Sequence, residues 1–570
     1  MRDVPWMITQ NHLQARLTAL TQYRFSWASH WSLLETYILP RRGIFINQTT
    51  PTANLTNRGA AINTAILDPT GTQAMRKCAA SMKAGLMSSS RPWFKIKPAM
   101  MEREALGEEA EAWFEEVEDR MYQVMAQSNF YDSMSQMFED LVTFGTAPVI
   151  IYEDDKTVIN CYNPCPGEYY AASSSRNTVG SLYRLFVMTT AQIVEMFGVE
   201  NCPPDVRGMW QTKGASLERE FVIAHAIEPN FPLAGVGDGD VAVVPGDFPW
   251  REIYWVYGFA NDRPLSKRGF KDEPFICPRW ATTSNDAYGR SPAMDALGDI
   301  MQLQVETARK AEALEKMVRP PMLASMEMKN EPSSILPGHV TYVASLGADK
   351  GMRPTYTVNP QIEHMMKDLL EIQTRIKVGF FNDIFMMFAD QEGDRRTAYE
   401  NAQKAVEKLQ VLGPVVEKSQ SEAGSPAVKR VFNIMARKRM LPPVPEALRG
   451  VPLGIDFVSM MALAQKAAAT AGMERYAQVT GNLTAIYPEA KYKLDPFGFL
   501  NNYGETLGVP KSITNSDDKA NKLFAGFMKQ QQEMQMAQEA MAAVQGAKTL
   551  SETELGAGQN ALQMMIGGSA

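Results

Sequence analysis

Two long amphipathic helical stretches, separated by a short turn-rich segment, constrain this chain more than any other feature. From Ser291 to about Val318, the residues Met294, Leu297, Met301, Val305, Ala308, Ala311 and Leu314 recur every three or four positions. That is the period of one helical face. Asp299, Glu306, Arg309, Lys310, Glu312 and Lys316 fall on the other face. A helix of this span is about 42 Å long. Arg319-Pro320-Pro321 stops it, because proline lacks the amide donor and clashes with the preceding turn. Residues Met322 to Pro360 then read as a compact strand-and-turn segment punctuated by glycine and proline. A second long helix is expected from Gln361 to about Phe388, ending at the polar loop 389–396.

The regions on either side differ in texture. Before the hairpin, Asn11 to Tyr37 has helical spacing, with Trp27, Trp31 and Leu34 on one stripe and Pro40 ending it. A Thr/Asn-rich loop covers 48–64, and Asp68-Pro69-Thr70 opens a helix that stops at Ser88-Ser89-Ser90. Helices are also expected from Glu102 to about Gln127 and from Phe130 to Phe144, the latter ended by Gly145. Between Pro148 and about Tyr288, short β-branched and aromatic runs such as PVIIYED, SLYRLFVM and REIYWVYGF indicate strands. A short helix from Val187 to Phe197, with Thr190 as its N-cap, is expected among them. After the polar loop, a helical stretch from Thr397 to Met440 is interrupted near Gly413-Pro414 and again at Gly424-Ser425-Pro426. A strand-like GIDFVSM and more helix through Tyr476 follow; the Gln/Met/Ala-rich end from Asp517 begins as a helix and closes in a Gly/Ser tail.

Composition sets limits. A chain of 570 residues, 45% apolar and 21% charged, has room for three or four ordinary domains with substantial cores. Its five cysteines, Cys78, Cys161, Cys165, Cys202 and Cys277, do not read as a disulfide framework. No secretory h-region opens the sequence and no run of 18 apolar residues occurs, so neither export nor a membrane span is expected. The 64 acidic and 57 basic residues leave a net charge of −7, which argues against tight, general binding of nucleic acid.

Chemical motifs are sparse. There is no Walker A sequence, no HExxH and no GxSxG. The glycines of Gly235-Val236-Gly237-Asp238-Gly239 lack the strand-to-helix setting of a dinucleotide loop. With Asp240 they suggest either a calcium loop of unusual order or a surface hairpin. Cys161 and Cys165 are four apart without a second Cys/His pair, which leaves either a zinc site or two packing residues. His12, His30, His225, His339 and His364 are scattered, and none sits in a nucleophile arrangement. The acidic run 102–120 reads as a partner surface or as a solvated helix whose Trp113, Phe114, Val117 and Met121 face a core. On this reading the chain needs no catalytic, cofactor or metal site.

The order of the segments, and several phrases within them, resemble the portal (head-to-tail connecting) proteins of short-tailed bacteriophages. The phrases are Pro164-Cys-Pro-Gly-Glu-Tyr-Tyr170, Ser181-Leu-Tyr-Arg184, Met188-Thr-Thr-Ala-Gln192, Met196-Phe-Gly198, Tyr288-Gly-Arg-Ser-Pro-Ala293 with Leu297, Arg319-Pro-Pro321, Thr397 with Glu400, and Val431-Phe432 to Leu441-Pro-Pro-Val-Pro445. They span roughly residues 10 to 515. Glu422-Ala-Gly-Ser-Pro-Ala departs from the apolar continuation such proteins show after that glutamate.

The resemblance implies a mostly helical α+β fold in a ring, usually of twelve subunits, with a central channel. It implies a helical wing part over 1–147, a strand-rich wing over 148–290, stem helices over 291–318 and 361–388, and a clip over 319–360. It also implies a channel loop over 389–396, a kinked wing helix over 397–445, a crown over 446–515, and a barrel-like helix with a flexible tail over 516–570. Such a ring sits at one capsid vertex of a virion assembled in the host cytoplasm. It passes double-stranded DNA inward during packaging and outward during ejection, hydrolyses nothing, and uses no cofactor and no membrane. Its implied partners are copies of itself, the terminase large subunit, major capsid and scaffolding proteins, and tail adaptor and nozzle proteins.

The resemblance also suggests roles for particular residues. Asp390, Glu392 and Asp394 would repel DNA phosphate in the channel while Arg395 and Arg396 attract it; the alternative is an ordinary solvated helix–helix loop. Asp299, Glu306, Arg309 and Lys310 would lie on the stem, and Glu331, Lys350 and Arg353 on the docking clip. An acidic or neutral wall suits DNA that must slide. Two rival readings are a helical virion scaffold without a channel and a metal-dependent hydrolase; the sequence displays no acid/histidine cluster for the latter.

Overall fold

The structure is a computed structural model that describes residues 6–42, 63–99, 107–234, 240–259, 263–324, 326, 329, 352–355, 362–382, 413–458, 473–484, 487, 493–507 and 517–552. The chain divides into two units, Met1–Ala462 and Leu463–Ala570. The first is α+β. Its helices are α1 (Trp6–Tyr37), α2 (Thr70–Leu86), α3 (Glu108–Gln127), α4 (Phe130–Phe144), α5 (Thr190–Phe197), α6 (Pro204–Thr212), α7 (Pro292–Val318), α8 (Ile362–Gly379) and α9 (Ser425–Arg437).

Three β-assemblies carry the first unit. The largest is a five-stranded antiparallel sheet in the order β10 (Ser266–Phe270), β9 (Trp250–Val256), β6 (Glu220–Pro229), β5 (Val179–Thr189) and β4 (Tyr169–Ser173). A three-stranded sheet joins β11 (Phe275–Ile276), β2 (Val149–Asp154) and β3 (Val158–Tyr162). The ribbon β1 (Phe94–Pro98) with β14 (Leu453–Phe457) brings together segments far apart in sequence. Two short pairs complete the set: β7 (Pro232–Ala234) with β8 (Asp240–Ala242), and β12 (Met322–Ala324) with β13 (Met352–Pro354).

Alternation along β5, β6 and β9 gives the large sheet two buried faces. Leu13 and Leu17 of α1 pack on one, against Tyr183, Ala224, Ala226, Ile253 and Trp255. Ile193, Val194, Phe197 and Val206 of α5 and α6 pack on the other, against Ile223, Tyr254 and Val256. Each face also carries buried charge. On the α1 side, Glu228 accepts from Arg251 Nη2 at 2.5 Å, Arg16 Nη1 at 2.7 Å and Tyr183 at 2.6 Å. On the other, Arg184 meets Glu168 at 2.7 Å and His225 meets Glu252 at 2.9 Å. Arginine only donates and carboxylate only accepts. His225 therefore presents Nδ1 as acceptor to Arg184 and donates from Nε2 to Glu252. Burial lowers the His225 pKa, so the ring is neutral, and Glu252 stays ionised despite burial because His225 and Tyr152 hydrogen-bond to it.

Several sequence expectations need correction. Strand β5 runs through Thr189, so the short helix begins at Thr190. Its N-cap is Thr189, whose hydroxyl accepts from Gln192 N while the Gln192 side chain accepts from Thr189 N; Thr190 donates its hydroxyl to Arg219 O instead. The helix after the hairpin turn ends at Gly379, well short of Phe388: Phe381 adopts φ 57° and stacks on Trp280, with ring centroids 6.2 Å apart. Helix is not interrupted at Gly424-Ser425-Pro426. Residues 413–437 are helical throughout, with a π turn at Gln420–Gly424 that widens the helix just ahead of the proline. Helix α3 starts at Glu108 rather than at Glu102, after Gly107 at φ 84°, and Trp113, Phe114, Val117 and Met121 are buried, in keeping with a solvated helix on a core. The expected loop 48–64 lies largely outside the described residues.

The second unit is helical where described, over 473–484, Pro496–Leu507 and Asp517–Glu552. Helix thus extends past Tyr476. The Tyr503 hydroxyl donates to Glu474 at 2.5 Å, joining the first two of these segments. Among the described residues no helix is long and apolar enough to cross a membrane.

Candidate functional site

The base of the hairpin is set by local chemistry around Ser291. Its side-chain oxygen accepts from Met294 N at 3.2 Å, capping α7, and Pro292 occupies the first turn where no amide donor is needed. The same hydroxyl donates to Thr143 O at 2.8 Å, fastening α7 to the last turn of α4. Just beside this contact Gly145, at φ 77°, lies against the Gly289 carbonyl so closely that a side chain at either position would collide with backbone. Gly289 N donates to Thr146 Oγ1 at 2.8 Å. The helix is rooted in a backbone-to-backbone contact with no room for adjustment.

A second anchorage holds both helices of the hairpin at one level. Gln304 Oε1 accepts from Leu67 N at 2.7 Å and Asp68 N at 2.9 Å, and Gln304 Nε2 donates to Asp68 O at 2.9 Å. From the other helix, Gln373 Nε2 donates to Asp68 Oδ2 at 2.8 Å. Asp68 Oδ1 in turn accepts from the amide and hydroxyl of Thr70. Burial works against the Asp68 carboxylate, but Thr70 and Gln373, with Lys377 nearby, more than offset it and hold its pKa below the ordinary value. Gly71 lets α2 approach Ile300, since a Cβ there would lie 3.1 Å from the Ile300 side chain. Sequence reasoning missed Gln304 and Gln373, because a lone glutamine on a helix carries no periodic signal.

The hairpin is antiparallel along its described length. Gly379 lies against Ala296, Arg375 pairs with Asp299 at 3.1 Å, and Met352–Pro354 pair with Met322–Ala324. Met294, Leu297, Ile300 and Leu303 of α7 are buried, as are Leu369, Ile372 and Ile376 of α8. The expected apolar stripe departs from this buried face beyond Leu297. Val305 is 58% exposed and Val318 78%, with Leu314 and Met317 also exposed; on α8, Leu370 is 59% exposed. Among the described residues, α8 is the element that packs along α7, and the far half of α7 stays largely exposed beside it.

The predicted polar residues take distinct places. Asp299 holds Arg375. Glu306 accepts from Gln302 at 2.7 Å. Arg309 donates to Glu312 at 3.0 Å, and Glu312 also receives Lys316 at 2.7 Å, so one carboxylate holds both cations within the helix. Lys310 lies on the same polar face, half-buried. Arg353 sits in β13 opposite Leu323. Glu331, Lys350 and the loop residues Asp390, Glu392, Asp394, Arg395 and Arg396 lie outside the described residues.

The π turn is the other special feature. Glu422 within it accepts from Arg279 Nη2 at 2.7 Å, from Arg279 Nε at 3.2 Å and from Arg279 N at 2.9 Å. Arg279 is almost fully buried and also donates to the carbonyls of Asp286 and Asn177. Gly424 lies under the Phe457 ring, where a Cβ would come within 2.8 Å of it. Phe457 stacks in turn on Trp93, with centroids 6.3 Å apart.

Among the described residues no group of three or more His, Cys, Asp or Glu could hold a metal ion. Cys161 is buried in β3, and Cys165 accepts from Arg42 at 3.1 Å. Burial pushes both thiols up to about 12, which removes thiolate character at neutral pH. The Gly235–Gly239 loop lies outside the described residues, between paired strands β7 and β8.

Comparison with known proteins accounts for the same span. Residues 10–514 match the family described as bacteriophage head to tail connecting protein. The chain is 36% identical over 544 residues to the probable portal protein of Bordetella phage BPP-1, covering 95% of this chain and 94% of that one. It is 36% identical over 550 residues to the portal protein of Salmonella phage epsilon15, covering 96% of each. Among solved structures, a chain from the neck of an empty gene transfer agent particle gives a TM-score of 0.35 at 9% identity, covering 71% of this chain and 86% of that one. A likeness of that size carries no argument here.

Proposed function

Because the chain belongs to the family of bacteriophage head to tail connecting proteins, we propose that it is a portal protein, a ring at one capsid vertex through which double-stranded DNA passes. The observation that carries this reading is similarity over 95% or more of the chain to two portal proteins.

In this reading α7 and α8 are the stem, the segment 319–360 is the clip, and 389–396 is the channel loop. The body built on 1–290 and 397–445 is the wing, 446–515 the crown, and 516–570 a C-terminal helix and tail. A ring needs one face of each subunit to fit a different face of the next. Val305, Leu314, Met317, Val318 and Leu370 supply exposed apolar surface on the two helices for such a contact. Burying it gains roughly 25 cal/mol per Å² of apolar surface.

The polar side of the stem suits a wall that DNA must slide past. Arg309 and Lys316 are held by Glu312, and Arg375 is held by Asp299. Pairing these cations weakens their pull on a passing duplex and lowers the counterion release that drives tight binding. Arg395 and Arg396 of the channel loop, set among Asp390, Glu392 and Asp394, would give a weak, repeated contact. The partners of this reading are copies of the chain, the terminase large subunit at the clip, capsid and scaffolding proteins around the wing, and tail adaptor and nozzle proteins after packaging. The chain itself breaks no bond.

The test is packaging in vitro. Procapsids assembled with this protein and supplied with terminase and ATP should protect genome-length DNA from nuclease, and procapsids lacking it should protect none. Equal protection in both samples would overturn the reading.

A further inference from the structure

One face of α1 packs on the body. Leu13 and Leu17 lie on the large sheet, and Trp31 and Leu34 are buried farther along. The opposite face is exposed among the described residues and runs from Met7 to Leu33 through Ala15, Gln22, Phe25 and Ser29. Phe25 is 79% exposed and Met7 72%. No exposed residue of α1 is charged.

The helix does contain charges, and each is turned away from this face. Arg16 donates to Glu228 at 2.7 Å and to Ser181 at 3.0 Å. Arg24 is buried and donates to the carbonyls of Gly167 and Tyr169. The one carboxylate, Glu35, is half-buried, and burial pushes it up to about 7. His12 and His30, at the margins of the face, are partly buried, which lowers both pKa values and leaves the rings neutral at pH 7. Other long helices of the first unit expose ordinary charge: Glu115, Asp119 and Arg120 on α3, and Lys367, Glu371 and Lys377 on α8.

A helix face that meets water is normally charged or strongly polar. A face without charge that carries large apolar side chains has the composition of a contact centre, where charge is depleted. Permanent contacts between copies are the most apolar kind. The face is about 39 Å long and about 10 Å wide, so it offers about 400 Å². That is about half of what one partner contributes to an interface of standard size. A ring also requires a face on each subunit that fits a different face of the next.

We propose that the outer face of α1 is buried against the neighbouring copy of this chain in the assembled ring. This contact rests on the ring of the proposed function and adds a surface on the body to the stem contact. A neutral face carries no charge that assembly must strip of water, whereas a charge placed there would have to be desolvated.

The test uses the full-length protein. The parent should show the native mass of a ring. Gln22→Glu with Ser29→Glu should keep its helical circular dichroism and need at least tenfold more protein to assemble. In assembled Gln22→Cys protein, the new thiol should react with iodoacetamide at least tenfold more slowly than in the same protein unfolded in urea, read at residue 22 by peptide mass spectrometry. The thiol readout needs only a mild substitution and guards against a glutamate variant that fails to fold. Assembly of the glutamate variant at the parent's concentration, or fast alkylation in the ring, would overturn the α1 contact and leave the ring standing. A parent that forms no ring would overturn the ring itself and this contact with it.

Discussion

The Arg279 guanidinium lies 2.7 Å from the Glu422 carboxylate, joining the loop ahead of α7 to the one π turn described in the chain. The pair spans 143 residues and is nearly water-free on the arginine side. Removing one partner leaves the other charge buried and unmatched, which costs about 3–5 kcal/mol. Arg279→Ala and Glu422→Ala should each destabilise the first unit by an amount in that range in urea denaturation. The double variant should lose much less than the sum. Additive losses would mean that the two side chains act separately.

Gly424 beneath Phe457 gives a second prediction. Gly424→Ala places a methyl group within 2.8 Å of the ring and should cost about 1–3 kcal/mol through overpacking. Phe457→Leu should relieve the clash, so the Gly424→Ala penalty should shrink in that background. An equal penalty in both backgrounds, measured by thermal unfolding, would show that the ring is not what excludes a side chain.

The Gln304–Asp68–Gln373 anchorage predicts local loosening rather than global unfolding. Gln304→Leu leaves the amides of Leu67 and Asp68 without their acceptor. Hydrogen exchange over 63–70 should speed up by about tenfold or more, each lost hydrogen bond being worth about 1 kcal/mol. Exchange in the large sheet should stay unchanged. No acceleration over 63–70 would mean that these hydrogen bonds do not hold the segment.

Glu273 gives a pH prediction. Burial raises its pKa to about 7, above its unfolded value. Its contribution to stability is therefore full below about 4.5 and is lost as pH rises through about 7. Glu273→Gln should remove that loss, leaving the variant more stable than the parent at pH 8 by an amount of the order of 2 kcal/mol, with a smaller difference at pH 5. Glu35, also raised to about 7 by burial but more exposed, should show the same sign and a smaller effect. Parallel stability curves for variant and parent between pH 5 and 8 would contradict this.

Features with a local cause were legible in the sequence. The return of the helical period at Ser291 marks the start of α7, Gly145 the end of α4, and β-branched and aromatic runs the strands β2, β5 and β9. Features with a tertiary cause were not. The apolar run after Gly379 keeps a helical period, yet stacking on Trp280 draws Phe381 into a left-handed turn. Pro426 reads as a break, and only the widened turn shows how the helix carries on past it. Asp68, Gln304 and Gln373 come together from three distant segments, so no spacing rule joins them. The exposed far half of the α7 stripe was readable as apolar, but a periodic pattern does not distinguish a core from a contact with another chain.

The most direct test of the central claim is the native mass of the purified full-length protein together with electron-microscope class averages of the same sample. The account predicts a closed ring, near twelve subunits, with a central opening wide enough for a DNA duplex. A closed dimer or a filled particle without an opening would contradict it.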